Sequence, residues 1–148
     1  MLETMDIKQK MNPIELNNEL HRAMNSSDFI DEARSITETL KSKGADIEFV
    51  RAILKFMEKY PTYDFGTPGP LAHFVETFYG HGYEAELFDS ISRRPTCHTI
   101  WLLNRIMNGT KEPAERIRLI NILREAENNP AADLQAKRSA AHFLERIS

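Results

Sequence analysis

Five histidines and one cysteine carry the widest chemical repertoire in this 148-residue chain. A transition-metal site needs imidazole or thiolate donors that converge on one point. His73 and His81 are eight apart, but the Gly80-His81-Gly82 turn breaks any helix between them. His98 adjoins Cys97, and adjacent side chains diverge on a helix. Neither HExxH nor a repeated His-x3-His spacing occurs, so no metal site and no cofactor is expected. The same divergence disfavours a Cys97–His98 nucleophilic pair, and Cys97 reads as a small buried hydrophobe. Glu84 and Glu86 lie two apart and point to different faces, which does not suit paired acid–base work. No glycine-rich phosphate cradle follows a strand, because no strand is expected. The chain is therefore read as a binding protein and not an enzyme.

The segment Thr62 to Pro70, TYDFGTPGP, is the one Gly/Pro-rich linker. Its Asp64-Phe65-Gly66 tripeptide occurs in kinases with a magnesium-binding Asp, but only beside a Gly-rich loop, a strand lysine and a catalytic loop. None of these is present. A stiff turn is the better reading, with Gly66 and Gly69 free for positive φ and Pro70 at the start of a helix. Its aromatics serve either as a plug over the core or as an exposed anchor.

Charge is distributed unevenly. Residues 61–92 hold Asp64, Glu76, Glu84, Glu86 and Asp89 and no Lys or Arg. Residues 93–124 hold seven bases against Glu112 and Glu115. An overall charge of −3 thus conceals an acidic segment followed by a basic one. Two readings stay open: the segments pair with each other across adjacent helices, or the acids face a cationic partner. The acidic segment also holds seven of the thirteen aromatics. Phe74, Phe78 and Phe88 fit inward positions, while Tyr63, Phe65, Tyr79 and Tyr83 fall at turns and helix ends where exposure is expected. Tyr63, Asp64, Phe65, Glu76, Tyr79, Tyr83, Glu84, Glu86 and Asp89 are accordingly the candidate partner-binding residues. Arg93, Arg94, Arg116, Arg118 and Arg124 do not suffice for nucleic-acid binding in a chain of pI near 6.0.

Helices must position these residues. Asn12-Pro13 opens the first, with Ile14, Leu16, Leu20 and Met24 as its stripe. Ser26-Ser27-Asp28 caps a second that Gly44 stops, and Asp46 caps a third that Pro61 ends. The third carries two stripes, Ile47/Val50/Leu54/Met57 and Phe49/Ile53/Phe56/Tyr60, so it is expected inside the domain. Leu71, Phe74, Val75 and Phe78 mark a fourth before Gly80, and Tyr83 to Ser92 forms a fifth. Pro95 opens a sixth that runs to Asn108-Gly109, with Trp101 in the core and Arg105 reaching an acid of 61–92. Thr110 or Lys111 precedes a seventh at Pro113, with Ile117, Leu119, Ile120, Ile122 and Leu123. Asn129-Pro130 starts the last, where Ala136, Ala140, Phe143, Leu144 and Ile147 recur. No run alternates with period two, so no sheet is expected.

The result is an all-α chain: residues 1–12 a flexible N-terminus and 13–148 a single all-helical domain. About eight helices in antiparallel pairs are expected to form an irregular αα-superhelix, with a compact helical bundle as the alternative. No apolar stretch reaches the roughly 18 residues of a membrane span, no signal sequence is evident, and one cysteine makes no internal disulfide. A cytoplasmic protein without membrane contact is the expectation.

The final helix, Asp133 to Leu144, resembles the second helix of a HEAT-type repeat, its alanines permitting close approach and its Phe-Leu filling the core. An acidic, all-helical chain with the segments Asp64 to Leu71 and Pro95-Thr96…Trp101-Leu102-Leu103-Asn104-Arg105 also resembles immunity proteins of bacterial polymorphic-toxin and contact-dependent inhibition systems. That resemblance implies a cognate toxin domain as partner, often a basic nuclease whose active site is blocked, and it carries no residue roles. A helical scaffold or adaptor that binds a protein or peptide in a concave groove is the alternative function.

Overall fold

Six helices begin where a side chain accepts the hydrogen bonds that the first N–H groups otherwise lack. Asn12, Asp28, Asp46, Thr96, Glu112 and Asp133 do this, accepting from Glu15, Asp31, Glu48, Thr99, Ala114 with Glu115, and Ala136 respectively. Thr96 and Thr99 cap each other reciprocally. The computed structural model describes residues 11–147. They form α1 (Pro13–Met24), α2 (Phe29–Ser42), α3 (Ile47–Lys59), α4 (Pro70–Glu76), α5 (Tyr83–Arg93), α6 (Cys97–Gly109), α7 (Pro113–Glu127) and α8 (Leu134–Ile147). Among the described residues there is no strand. The all-α expectation holds, with eight helices among the described residues. Of the N-terminal segment 1–12, all but Met11 and Asn12 lies outside the described residues.

Several boundaries differ from the sequence reading: the fourth helix ends at Glu76, before Phe78, and the sixth starts at Cys97 with Thr96 and not Pro95 before it. The last helix starts at Leu134 and not at Asn129-Pro130, because Asp133 supplies the cap and Asn129 is spent on a turn, accepting from the Ala131 N–H at 2.9 Å. The seventh is capped by Glu112, whose two carboxylate oxygens each take one N–H.

Contacts gather the described residues into two units, 11–56 with 64–83 and 57–63 with 84–147. In the first, α1 packs on α2 and α2 on α4. Its core holds Leu16, Leu20, Ala33, Leu40, Ile53, Phe56, Leu71 and Phe74, each no more than 2 % exposed. Burying one such side chain contributes about 1.5–3 kcal/mol. Both stripes of α3 are buried, as their spacing requires: Val50 and Leu54 on one, Phe49, Ile53 and Phe56 on the other. In the second unit α6, α7 and α8 all touch one another. Ala136 and Ala140 are fully buried there and let α8 approach its neighbours closely. Leu87, Ile100, Leu103, Leu119 and Leu123 complete that core. Trp101, expected inside, is only half-buried, and the Arg105 guanidinium lies over its ring at 4.9 Å.

The linker of the first unit is folded tightly on itself. Asp64 accepts from the Gly66 N–H at 2.9 Å, Gly66 adopts φ +95°, and Thr67-Pro68 is cis. A Cβ placed on Gly69 would stand 1.9 Å from the Phe65 carbonyl oxygen. Gly69 has extended backbone (φ −107°, ψ −179°), so the constraint is space and not conformation. Gly69→Ala is expected to destabilise by about 1–3 kcal/mol, the usual cost of overfilling a packed site. The measurement is a urea titration: the midpoint falls with an unchanged slope, and a midpoint equal to wild type refutes the close approach.

Candidate interaction surface

The nine candidate residues separate by unit and by burial. In the first unit Asp64 is exposed in the linker, Glu76 ends α4 half-buried, and Tyr79 stands 54 % exposed in the following turn. In the second, Tyr63, Glu84 and Glu86 are half-buried and Asp89 is exposed on α5. Phe65 and Tyr83 depart from the expected exposure. Phe65 is 3 % exposed, with its ring 5.5 Å from that of Phe29 and 5.6 Å from that of Phe56. Tyr83 is fully buried at the start of α5. A turn position says where the backbone runs, not which way a ring points; both rings gain more from the core than from water. Of the two roles open to the linker aromatics, Phe65 takes the plug.

The basic segment uses much of its charge inside the second unit. The Glu58 carboxylate on α3 accepts from Arg93 Nε at 3.2 Å, from an Arg93 terminal nitrogen at 2.8 Å and from Ser90 Oγ at 2.7 Å. Hydrogen bonding to Glu58 raises the Arg93 pKa above its ordinary value, against partial burial, with Glu58, Asp89 and Glu86 adding electrostatic support. Asp89 lies one turn before Arg93 on α5, so the acidic and basic segments do meet electrostatically there. The carboxylate that Arg93 grips is nonetheless Glu58, from outside 61–92.

The end of α3 is capped by neighbours distant in sequence. Arg94 donates to the Glu58 carbonyl at 2.9 Å, His98 Nε2 lies 3.3 Å from the Tyr60 carbonyl, and the Cys97 thiol donates to the Pro61 carbonyl at 3.3 Å. Glu58 carries one of the carbonyls a helix C-terminus leaves without internal partners, and a cation there also suits the helix dipole; Tyr60 and Pro61 follow the helix, and the Tyr60 carbonyl also accepts from the Tyr63 N–H at 3.2 Å. Arg116 similarly donates to the Met107 and Thr110 carbonyls at 2.8 and 3.0 Å. Arg118 pairs with Glu115 at 3.0 Å and lies over the Phe88 ring.

Burial pushes the Cys97 thiol above its ordinary pKa, and Asp133 adds to the rise. The group therefore stays protonated at neutral pH, the opposite of an activated nucleophile. Among the described residues no three of His, Cys, Asp and Glu are grouped to hold a metal ion. No helix among them is long and apolar enough to cross a membrane.

One feature escaped the sequence reading. An open cleft of about 520 Å³ runs between α7 and α8, lined by Ile120, Ala141, Leu144 and Ile147 with Arg124, Glu127 and Glu145 around them. The signal was present in α7, whose apolar residues occupy more than one face. Leu119 and Leu123 are fully buried, whereas Ile117 is 61 % exposed. No family model, curated protein or solved structure matches this chain.

Proposed function

We propose that this chain is a non-enzymatic binding protein, an immunity protein that neutralises a cognate basic toxin domain of nuclease type. One observation carries the reading. Asp64, Glu76, Glu84, Glu86 and Asp89 all occupy half-buried or exposed positions in a segment without a single base, accompanied by Tyr79 at 54 % exposure. Surface acids steer a cationic protein into encounter, and an exposed tyrosine offers an anchor of large area and low entropy cost. The first unit reinforces the sign: its described residues hold ten acids and six bases. The cytoplasm is the compartment in which such a protein meets an incoming toxin, and it needs neither nucleic acid nor membrane to act.

The test is co-purification with the product of the adjacent gene, followed by charge reversal in each unit separately. D64K/E76K in the first unit and E84K/E86K/D89K in the second are measured by surface binding at two salt concentrations. At least one set is expected to weaken binding by roughly tenfold or more, chiefly through a slower association rate that converges on wild type at high salt. A neighbouring product that is not a toxin defeats the proposal, as does unchanged affinity in both sets.

A further inference from the structure

We propose that Asn108 is a site of slow covalent modification, the spontaneous conversion of its side-chain amide to a carboxylate, and that Arg116 sets the rate by clamping the end of α6. Of the nine asparagines in the chain only Asn108 precedes a glycine. The neighbour matters because the reaction is intramolecular. The Gly109 backbone nitrogen attacks the Asn108 side-chain carbonyl carbon, a C–N bond closes a five-membered succinimide ring, and the amide nitrogen leaves as ammonia. Water then opens either ring carbonyl, giving aspartate or its isomer linked through the side chain. A Cβ on the following residue hinders the attack and narrows the backbone freedom it needs, and glycine has none. Gly109 is exposed, has no positive φ, and a Cβ there would meet nothing within 4 Å. Neither conformation nor space therefore requires glycine at 109.

Asn108 is exposed, and its side chain makes no hydrogen bond among the described residues. Asn25 and Asn128 instead donate to the His21 and Arg124 carbonyls, and Asn12 and Asn129 precede prolines, which have no N–H to lose. The helix itself opposes ring closure. Helical backbone points each N–H along the axis toward the preceding turn, away from the side chain one residue back, so closure waits until the last turn of α6 opens. Thr110 holds that turn with its N–H on the Met107 carbonyl at 3.1 Å and its Oγ1 on the Ile106 carbonyl at 2.7 Å. Arg116 of α7 donates to the Met107 and Thr110 carbonyls, which flank Asn108-Gly109, at 2.8 and 3.0 Å. Both of its bonds are charge-assisted, the stronger kind. The product places a negative charge at a helix C-terminus, where the dipole disfavours it, so the modified end opens more readily than the original. The inference stands independently of toxin binding.

The experiment is incubation of the full chain in mildly alkaline buffer over weeks. Mass spectrometry follows the tryptic peptide Ile106–Lys111 against an aliquot digested at once. The mass gain of exchanging an amide NH2 for OH, divided between two chromatographically separate isomers, is expected at Asn108 before any other asparagine. The chain unfolded in urea gives the unprotected rate, and the folded wild type is expected to convert about tenfold more slowly or less, because local opening must come first. Arg116→Ala is expected to raise the folded rate by roughly tenfold, the effect of losing a charged hydrogen bond on that opening. Thr110→Val removes only the Oγ1 donor and is expected to raise it by about threefold. Gly109→Ala, for which there is room, is expected to bring conversion at 108 down to that of the other asparagines. Circular dichroism confirms that each variant keeps its helix content. A folded wild type that shows no conversion at Asn108 overturns the proposal. So does a folded rate equal to the unfolded one, or one that neither Arg116→Ala nor Thr110→Val changes.

Discussion

Phe65→Ala is expected to destabilise the protein by about 3–5 kcal/mol, the usual range for emptying an aromatic site in a packed core. The ring is 3 % exposed and lies between Phe29 of α2 and Phe56 of α3, so its removal opens a void at the junction of two helices and the linker. Tilted ring pairs add about 0.5–1.5 kcal/mol each beyond burial, and this substitution removes two of them. The linker backbone cannot slide in to fill the space, because Gly69 already sits against the Phe65 carbonyl. Thermal unfolding should show a midpoint lower by roughly 10 °C. Tyr79→Ala provides the contrast: its side chain is 54 % exposed, and its stability is expected to stay within about 0.5 kcal/mol of wild type. Equal losses for the two variants would contradict the assignment of plug and surface residue.

Glu58→Ala is expected to cost about 2–3 kcal/mol, since it removes the acceptor of three hydrogen bonds, two of them from a cation. The Glu58 side chain is only 12 % exposed, so water replaces it poorly, and Ser90 is fully buried. Arg93 loses less, being 38 % exposed at its side chain and able to turn to solvent. Glu58→Gln, which keeps an acceptor oxygen but not the charge, should recover about half of the loss. A double-mutant cycle with Ser90→Ala reads the contact directly, with a coupling of about 1 kcal/mol expected. Strict additivity of the two substitutions would show that the contact contributes nothing.

The helices were legible because their signals are local. Asn12-Pro13, Asp28 and Asp46 announce themselves as caps within one turn of what they cap, and the paired stripes of α3 state their own burial. The candidate surface was legible only in part. Of the acids whose exposure the sequence left open, Asp64 and Asp89 are exposed. Phe65 and Tyr83 are not, because a ring at a turn has a core on one side and water on the other, and spacing does not choose between them. The partner of Arg93 lies 35 residues away. Its nearer acids Asp89 and Glu86 gave a plausible alternative, and only the approach of α5 to the end of α3 decides for Glu58. Trp101 shows the reverse limit: an apolar neighbourhood in sequence does not make every face of a helix internal. The α7–α8 cleft was hidden because an isoleucine at an exposed position reads the same as one in a core.

Residues 57–63 belong with 84–147 although 11–56 and 64–83, on either side of them, belong together. The chain is therefore interleaved, and no single cut divides it into two self-sufficient pieces. A fragment beginning at Glu84 would leave behind the Glu58 carboxylate and the Tyr60 and Pro61 carbonyls that Arg93, His98 and Cys97 engage. A single genetic crossover cannot exchange one unit while keeping the other whole. Exchange of one unit with the other kept whole would have to cross three boundaries, 56/57, 63/64 and 83/84.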